Sequence, residues 1–130
     1  MAIDHPLLGV GLDNFLYAYR GGYILDAAWQ EPNLNHPHNI VLDFATRLGL
    51  LGLLAGAWLI GEAARALWRA ICHVEARWLP VATGLAGALA AMLAHGLVDH
   101  SFFLVDLAFV FYLILGVALW LERAEQATYA

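Results

Sequence analysis

Three long apolar stretches separated by polar segments limit what this chain can fold into. They cover residues 40–60, 79–98 and 102–121, and charged side chains interrupt them at only three positions. Each stretch is long enough to cross a hydrocarbon core, which takes about 20 residues of helix. With 62% hydrophobic and 13% charged residues, the chain is more apolar than a soluble domain of its size requires. The sequence therefore predicts an all-α integral membrane protein with three transmembrane helices.

The charged residues and the cysteine content exclude several other classes of protein. All six basic residues are arginines, the net charge is −5, and the sequence contains no basic cluster of the kind that binds nucleic acid. The single cysteine, Cys72, excludes an internal disulfide and a metal site built from cysteines. Candidate functional groups must therefore come from the histidines, acids, amides and arginines.

Arginines between the first two apolar stretches orient the predicted helices. Arg65, Arg69 and Arg77 lie in the connector, and basic residues beside transmembrane helices mark the cytoplasmic side. Glycines and prolines break every apolar run in the first 38 residues, so this region is expected outside, at the membrane interface. The predicted order is an outer loop region over 1–38, a transmembrane helix over 39–62, a cytoplasmic connector over 63–78 with an amphipathic helical extension over 64–71, a transmembrane helix over 79–98, an outer turn over 99–101, a transmembrane helix over 102–121, and a cytoplasmic tail over 122–130.

This topology brings a set of polar residues to the outer end of the three helices. The set comprises His36, His38, Asn39, Asp43, Arg47, His95, Asp99 and His100. Asn39, Asp43 and Arg47 are four residues apart and share one face of a helix. Ionisable groups within a transmembrane helix normally face a bundle interior or a watery cavity, where they are often functional. Asp43 and Arg47 are also spaced for an ion pair, which leaves open a purely structural role in docking against another helix.

Histidine and arginine at the mouth of a helix suit the chemistry of phosphate-linked sugars. A neutral histidine can take a proton from a hydroxyl at physiological pH. An arginine presents a planar fork of donors to phosphate oxygens. A histidine beside Arg47, with Arg20 folding back from the loop, would suit attack by a sugar hydroxyl on a carbon that bears a phosphate leaving group.

Metal binding is the competing use of the same histidines. The ligands would be His36 and His38, joined by His95, Asp99 or His100, and the metal would be zinc. Because the His-x-His spacing in a proline-bearing loop is unspecific, we expect no metal.

Three motifs follow one another along the chain. They read HPLLGVGLDNF from His5 to Phe15, HPHNIVLDFATRLGLLGLL from His36 to Leu54, and HGLVDHSFF from His95 to Phe103. In this order and spacing they resemble the C-terminal half of the O-antigen ligase and O-antigen polymerase family, and the resemblance covers nearly all of the chain.

The resemblance implies a multi-span glycosyltransferase of the bacterial inner membrane. Such an enzyme moves a glycan from undecaprenyl pyrophosphate to the hydroxyl of a glycan or lipid acceptor on the periplasmic face, without a metal or other cofactor. The resemblance implies that His38 is the catalytic base. The residues expected to bind the pyrophosphate or the glycan are Arg20, His36, Asn39 and Arg47, and those expected to support them are Asp43, His95 and Asp99. Arg47 departs from the family pattern, which often has an acid at this place.

The chain has far fewer predicted transmembrane helices than members of this family. We therefore expect it to be a C-terminal piece of a longer protein, a truncated reading frame, or a partner that assembles with the remaining transmembrane helices, and to be inactive alone. The alternative is a non-enzymatic membrane module, either a helix-packing subunit or part of a transporter. In that case the Asp43–Arg47 and His95–Asp99 pairs would be structural or would relay protons.

Overall fold

Every regular element in the described part of the chain is a helix. The structure, a computed structural model, describes residues 1–26, 32–99 and 102–126, with side chains to 123. The elements are α1 (Phe15–Ala18), a π-helical turn (Tyr19–Tyr23), α2 (Ile40–His73), α3 (Leu79–Gly96) and α4 (Val105–Gln126). The last three helices are long and apolar enough to cross a membrane, which confirms the predicted fold class.

Helices α2, α3 and α4 pack together around a hydrophobic core. The end of the bundle that bears Arg65, Arg69 and Arg77 is here called the arginine end. The core residues are Ala63, Ala66 and Leu67 of α2, Leu89 of α3, and Phe111, Ile114 and Ala118 of α4. Alanines at these positions allow the helix backbones to approach closely. Because α2 continues to His73 and packs through residues 63–70, the true connector is only residues 74–78, shorter than the predicted 63–78.

The backbone of α2 reverses its direction at Gly49. This residue has φ 66° and ψ −162°, a combination that is essentially restricted to glycine. The ring of Phe44 lies so close to Gly56 that an added Cβ there would be 2.4 Å from it. In a straight helix these two residues would be about 18 Å apart, at 1.5 Å per residue. The first arm of α2, residues 40–48, therefore folds back along the second arm, residues 50–73.

This reversal corrects the predicted course of the first transmembrane helix. A single straight helix over 39–62 was expected, whereas the straight run in the structure is the second arm, residues 50–73. That arm extends about 36 Å, enough to cross a hydrocarbon core. Hydropathy does not reveal the reversal, because both arms are apolar and only one backbone dihedral pair separates them.

The N-terminal segment, residues 6–11, replaces the hydrogen bonds that α2 loses at the break. In a regular helix the amides of Leu50 and Leu51 would donate to the carbonyls of Thr46 and Arg47. Instead, the amide of Leu50 donates to Pro6 (2.8 Å), that of Leu51 donates to Leu7 (3.3 Å), and the carbonyls of Thr46 and Arg47 accept from Val10 and Gly11 (2.9 Å each). These four backbone groups at the break therefore all have hydrogen-bond partners.

The two segments cross where each contains a glycine. Gly9 and Gly49 both have positive φ, 65° and 66°. A Cβ on Gly9 would lie 2.4 Å from the carbonyl carbon of Arg47, and one on Gly49 would lie 2.4 Å from that of Leu7. Neither position has room for a side chain, so the HPLLGVG and RLGLLG segments form one interlocked unit.

A hydrogen bond closes the N-terminal region onto itself. The hydroxyl of Tyr23 donates to Oδ2 of Asp4 at 2.7 Å. This bond, together with the nearby terminal amine, holds the pKa of the Asp4 carboxyl below its ordinary value, and the carboxylate raises the pKa of Tyr23. Asp4, just before the segment 6–11, is therefore hydrogen-bonded to the π-helical turn.

Replacing Gly49 by alanine is expected to lower the free energy of unfolding by about 1–3 kcal/mol or more, because the backbone conformation disfavours any side chain and the methyl group would overlap Leu7. The matched control is Gly84→Ala in α3, where a Cβ meets nothing within 4 Å. The free energy of unfolding of Gly84→Ala should be unchanged or rise by up to about 1 kcal/mol, because alanine has the higher helix propensity. Denaturant unfolding in mixed micelles, followed by tryptophan fluorescence, measures both, and equal stabilities would contradict the reversal.

Candidate functional site

Asn39 fixes the start of α2 and joins it to the end of α3. Its backbone N–H donates to the carbonyl of Pro37 at 2.7 Å, which closes a tight turn. Its Oδ1 accepts from the amides of Val41 (3.0 Å) and Leu42 (3.2 Å), as an N-cap does. Its Nδ2 donates to the carbonyl of Leu97 at 3.1 Å. An aspartate would keep the cap and lose the donor, so an amide is needed here.

His36 and His38 converge on Asp99 at the end of the bundle opposite the arginines, here called the histidine end. Nδ1 of His38 lies 2.9 Å from Oδ1 of Asp99, and Nε2 of His36 lies 3.4 Å from the same oxygen. The two rings meet edge to face with centroids 4.7 Å apart. The side chain of His38 is 56% exposed and that of Asp99 is 46% exposed. This His36–His38–Asp99 cluster is therefore accessible from outside the bundle.

The contact with Asp99 determines which nitrogen of His38 can act as a base. An ionised carboxylate only accepts hydrogen bonds, so the bond requires the proton on Nδ1 of His38. The neutral ring then carries its lone pair on Nε2. A carboxylate that holds an imidazole in this tautomer also stabilises the imidazolium formed when Nε2 takes a proton. The geometry thus suits His38 as a general base and Asp99 as its positioning residue.

A buried ion pair lies in the first arm of α2. Asp43 is 1% exposed and Arg47 is 7% exposed, and Nε of Arg47 donates to Oδ1 of Asp43 at 2.6 Å. The other guanidinium nitrogens of Arg47 donate to the backbone carbonyls of Leu12 and, at 2.8 Å, Asn35. One side chain therefore joins the first arm of α2, the N-terminal region and the loop that carries the histidines.

Aromatic rings cover the same guanidinium. Its central carbon lies 5.7 Å from the ring centre of Phe15 and 5.4 Å from that of Phe103, within the range of cation–π attraction. Each guanidinium nitrogen of Arg47 donates to a group within the protein, and the residue is 7% exposed. This geometry favours the structural ion pair that the sequence also allowed, and the pyrophosphate-binding role of Arg47 stays a prediction.

Arg20 and His95 lie outside the cluster. Arg20 is exposed, and its Nε donates to the carbonyl of Pro32 at 3.0 Å while Nη2 donates to Oδ1 of Asn33. His95 lies one turn before Asp99 with an exposed ring outside the cluster. His100 lies outside the described residues. The cluster therefore contains three of the predicted residues, and Asn39 holds the backbone beside it.

An apolar groove of about 400 Å³ lies between the two arms of α2 and the start of α4. Its walls include Leu12, Phe44, Gly56, Phe103, Ala108 and Tyr112. Phe44 packs on Phe102 and Phe103 with ring centres 5.0 and 4.7 Å apart. The groove could not be predicted from the sequence, because it forms only where α2 folds back.

Together the fold and the cluster define an all-helical protein that has three potential transmembrane helices and a His–Asp cluster at one end. Comparisons with protein-family models, with curated proteins and with solved structures find no match for the chain.

Replacing Arg47 by methionine is expected to lower the free energy of unfolding by about 3–5 kcal/mol, because the Asp43 carboxylate would stay buried without its partner. The double variant Asp43→Leu/Arg47→Met should lose less free energy of unfolding than Arg47→Met alone, because it also removes the buried Asp43 carboxylate. Denaturant unfolding in micelles gives these values.

The matched control is Arg65→Met, which breaks an exposed pair with Glu62. It should cost less than about 1 kcal/mol. A loss for Arg47→Met as small as that for Arg65→Met would show that the guanidinium does not join the segments.

Proposed function

We propose that this chain carries the catalytic histidine of a membrane glycosyltransferase of the O-antigen ligase or polymerase type. The enzyme would transfer a glycan from undecaprenyl pyrophosphate to the hydroxyl of a glycan or lipid acceptor, on the periplasmic face of a bacterial inner membrane. The observation that carries the proposal is the His38–Asp99 pair, which lies at one end of three apolar helices. The three motifs support the choice of this reaction over others that use a histidine base.

In the proposed reaction the acceptor oxygen attacks the sugar carbon that bears the pyrophosphate. A new carbon–oxygen bond forms, the bond from that carbon to the pyrophosphate oxygen breaks, and the lipid pyrophosphate leaves with the electron pair. The hydroxyl proton passes to Nε2 of His38, and Asp99 stabilises the resulting imidazolium. Arg20, which is exposed, is the proposed contact for the pyrophosphate, while His36 and Asn39 border the reacting groups.

The apolar groove supports a lipid-linked donor. It has a volume of about 400 Å³, and Phe102 and Phe103 in its wall lie close in sequence to Asp99. An isoprenoid chain in this groove would have its pyrophosphate toward the histidine end of the bundle. In this arrangement the histidine end faces the periplasm and the arginine end faces the cytoplasm, in agreement with the positive-inside rule.

The chain by itself would form only part of such an enzyme. Within the apolar window of α3, only 17% of residues are buried, so the described part of the chain leaves much of the surface of this helix uncovered. We propose that further transmembrane helices of a longer protein cover α3 and enclose the two substrates, and that the 130-residue chain is inactive alone.

The buried Asp43–Arg47 pair favours a second candidate, a non-enzymatic helix-packing subunit or part of a transporter. A buried pair of this kind joins segments without any chemistry. The second candidate does not, however, account for the exposed His38 held by Asp99. Proton or solute flux through proteoliposomes, independent of any lipid-linked glycan, would favour it.

In the full-length protein, His38→Ala is expected to lower the rate of glycan transfer from the undecaprenyl-pyrophosphate donor by about 10²–10⁴-fold, because the acceptor loses its base. Asp99→Asn should cause a smaller loss that appears in kcat more than in KM, since it disturbs the tautomer of His38 and leaves the binding groups in place. Transfer is measured in proteoliposomes.

His73→Gln is the matched control, because this exposed histidine lies at the arginine end. It should leave transfer unchanged. Full activity of His38→Ala, with normal membrane insertion, would reject His38 as the base.

A further inference from the structure

The His36–His38–Asp99 cluster also has the donor atoms of a metal site. One nitrogen from each histidine and one carboxylate oxygen all lie within 4.8 Å of one another. Two histidines and one carboxylate are a common protein ligand set for zinc, with a fourth position left for water. The sequence spacing of the histidines alone did not distinguish this arrangement from an ordinary loop.

The three ligand atoms are close enough together to surround one ion, and one pair already has the spacing of tetrahedral zinc. Zinc bonds to nitrogen and oxygen are about 2.0–2.2 Å long, which places neighbouring ligand atoms about 3.3–3.5 Å apart. The pairs His38–Asp99 and His36–Asp99 lie at 2.9 and 3.4 Å. The His38–Asp99 separation is shorter than in a zinc site, so zinc binding requires the exposed His38 ring to move.

A hydrogen bond behind His36 directs its lone pair toward the carboxylate. Nδ1 of His36 lies 2.5 Å from Oδ1 of Asn35, an oxygen that only accepts, so this bond requires the proton on Nδ1. The neutral ring then presents the lone pair of Nε2 to Oδ1 of Asp99. At 3.4 Å, positive charge between this nitrogen and the carboxylate stabilises both, either a proton on Nε2 or a metal ion, and a metal titration distinguishes the two. Outer hydrogen bonds of this kind orient the histidine ligands of metal sites.

We propose that His36, His38 and Asp99 bind one Zn²⁺ ion through Nε2, Nδ1 and Oδ1, and that zinc is an inhibitor of the site. Coordination through Nδ1 of His38 requires the lone pair on Nδ1 and the proton on Nε2, the opposite tautomer from the one that acts as a base. His38 therefore cannot bind zinc and take the proton from the hydroxyl of the acceptor substrate at the same time. The binding stands on geometry alone, whereas the inhibition rests on the proposed transferase function.

The binding is tested by calorimetric titration of ZnCl₂ into the tag-free chain in nanodiscs, with Co²⁺ absorption as a spectroscopic probe of tetrahedral coordination. We expect one ion per chain and intense Co²⁺ bands that Zn²⁺ displaces. Asn35→Ala, which removes the outer hydrogen bond, should weaken binding about 10–100-fold, and His36→Gln and Asp99→Asn should each weaken it more.

His73→Gln and His95→Gln are the controls, since both remove an exposed histidine outside the cluster. They should leave the affinity unchanged. Unaltered affinity in His36→Gln and Asp99→Asn, or equal losses in the two controls, would overturn the zinc site. Circular dichroism confirms that each variant is folded.

The inhibition is tested in the full-length protein by adding Zn²⁺ to the transfer assay and reversing it with EDTA. Each variant is compared with its own metal-free rate. The rate of glycan transfer by the wild type should fall as zinc occupies the site. His36→Gln should need at least about tenfold more zinc for the same fractional loss of rate, because its zinc affinity is expected to be weaker by at least that factor. Zinc binding without loss of transfer would overturn the inhibitory role. Absence of transfer in metal-free wild type would instead reject the transferase function and leave the zinc site to the titration.

Discussion

The crossing of two backbones at Gly9 and Gly49 is the constraint on which the rest of the structure depends. A break in a transmembrane helix exposes amides and carbonyls that lipid cannot satisfy. Residues 6–11 supply replacements for those groups, and the absence of a side chain at both glycines allows the segments to come close enough. The buried Arg47 guanidinium then ties the same N-terminal region to the loop that carries the histidines.

The reversal at Gly49 also explains why the polar residues meet where they do. Because the first arm of α2 folds back, its N-cap Asn39 lies beside the end of α3, and the histidines that precede it reach Asp99. The same fold opens the apolar groove between the arms. We propose two uses of the His38 imidazole, as a base with its lone pair on Nε2 and as a zinc ligand with its lone pair on Nδ1, and Asp99 is its partner in both.

Much of the helical framework could be predicted from the sequence, because hydropathy over about 20 residues reports directly on burial in lipid. The convergence of His36, His38, Asn39 and Asp99 on one end also followed, since antiparallel helices alternate their ends. The reversal could not be predicted, because it depends on one residue with positive φ and on contacts with a segment some 40 positions away. For the same reason the sequence could not decide that Arg47 is buried among Asp43, Phe15 and Phe103.

The distance between residues 44 and 56 tests the reversal of α2 at Gly49 most directly. In a Cys72→Ser background, Phe44→Cys/Gly56→Cys is treated in membranes with a bifunctional thiol reagent too short to bridge the roughly 18 Å of a straight helix. The exposed pair Leu50→Cys/Leu54→Cys, one turn apart on the second arm, serves as the positive control. We predict efficient intramolecular crosslinking of both pairs. Crosslinking of the control alone would show that α2 is straight, and the histidine site would then not form as described.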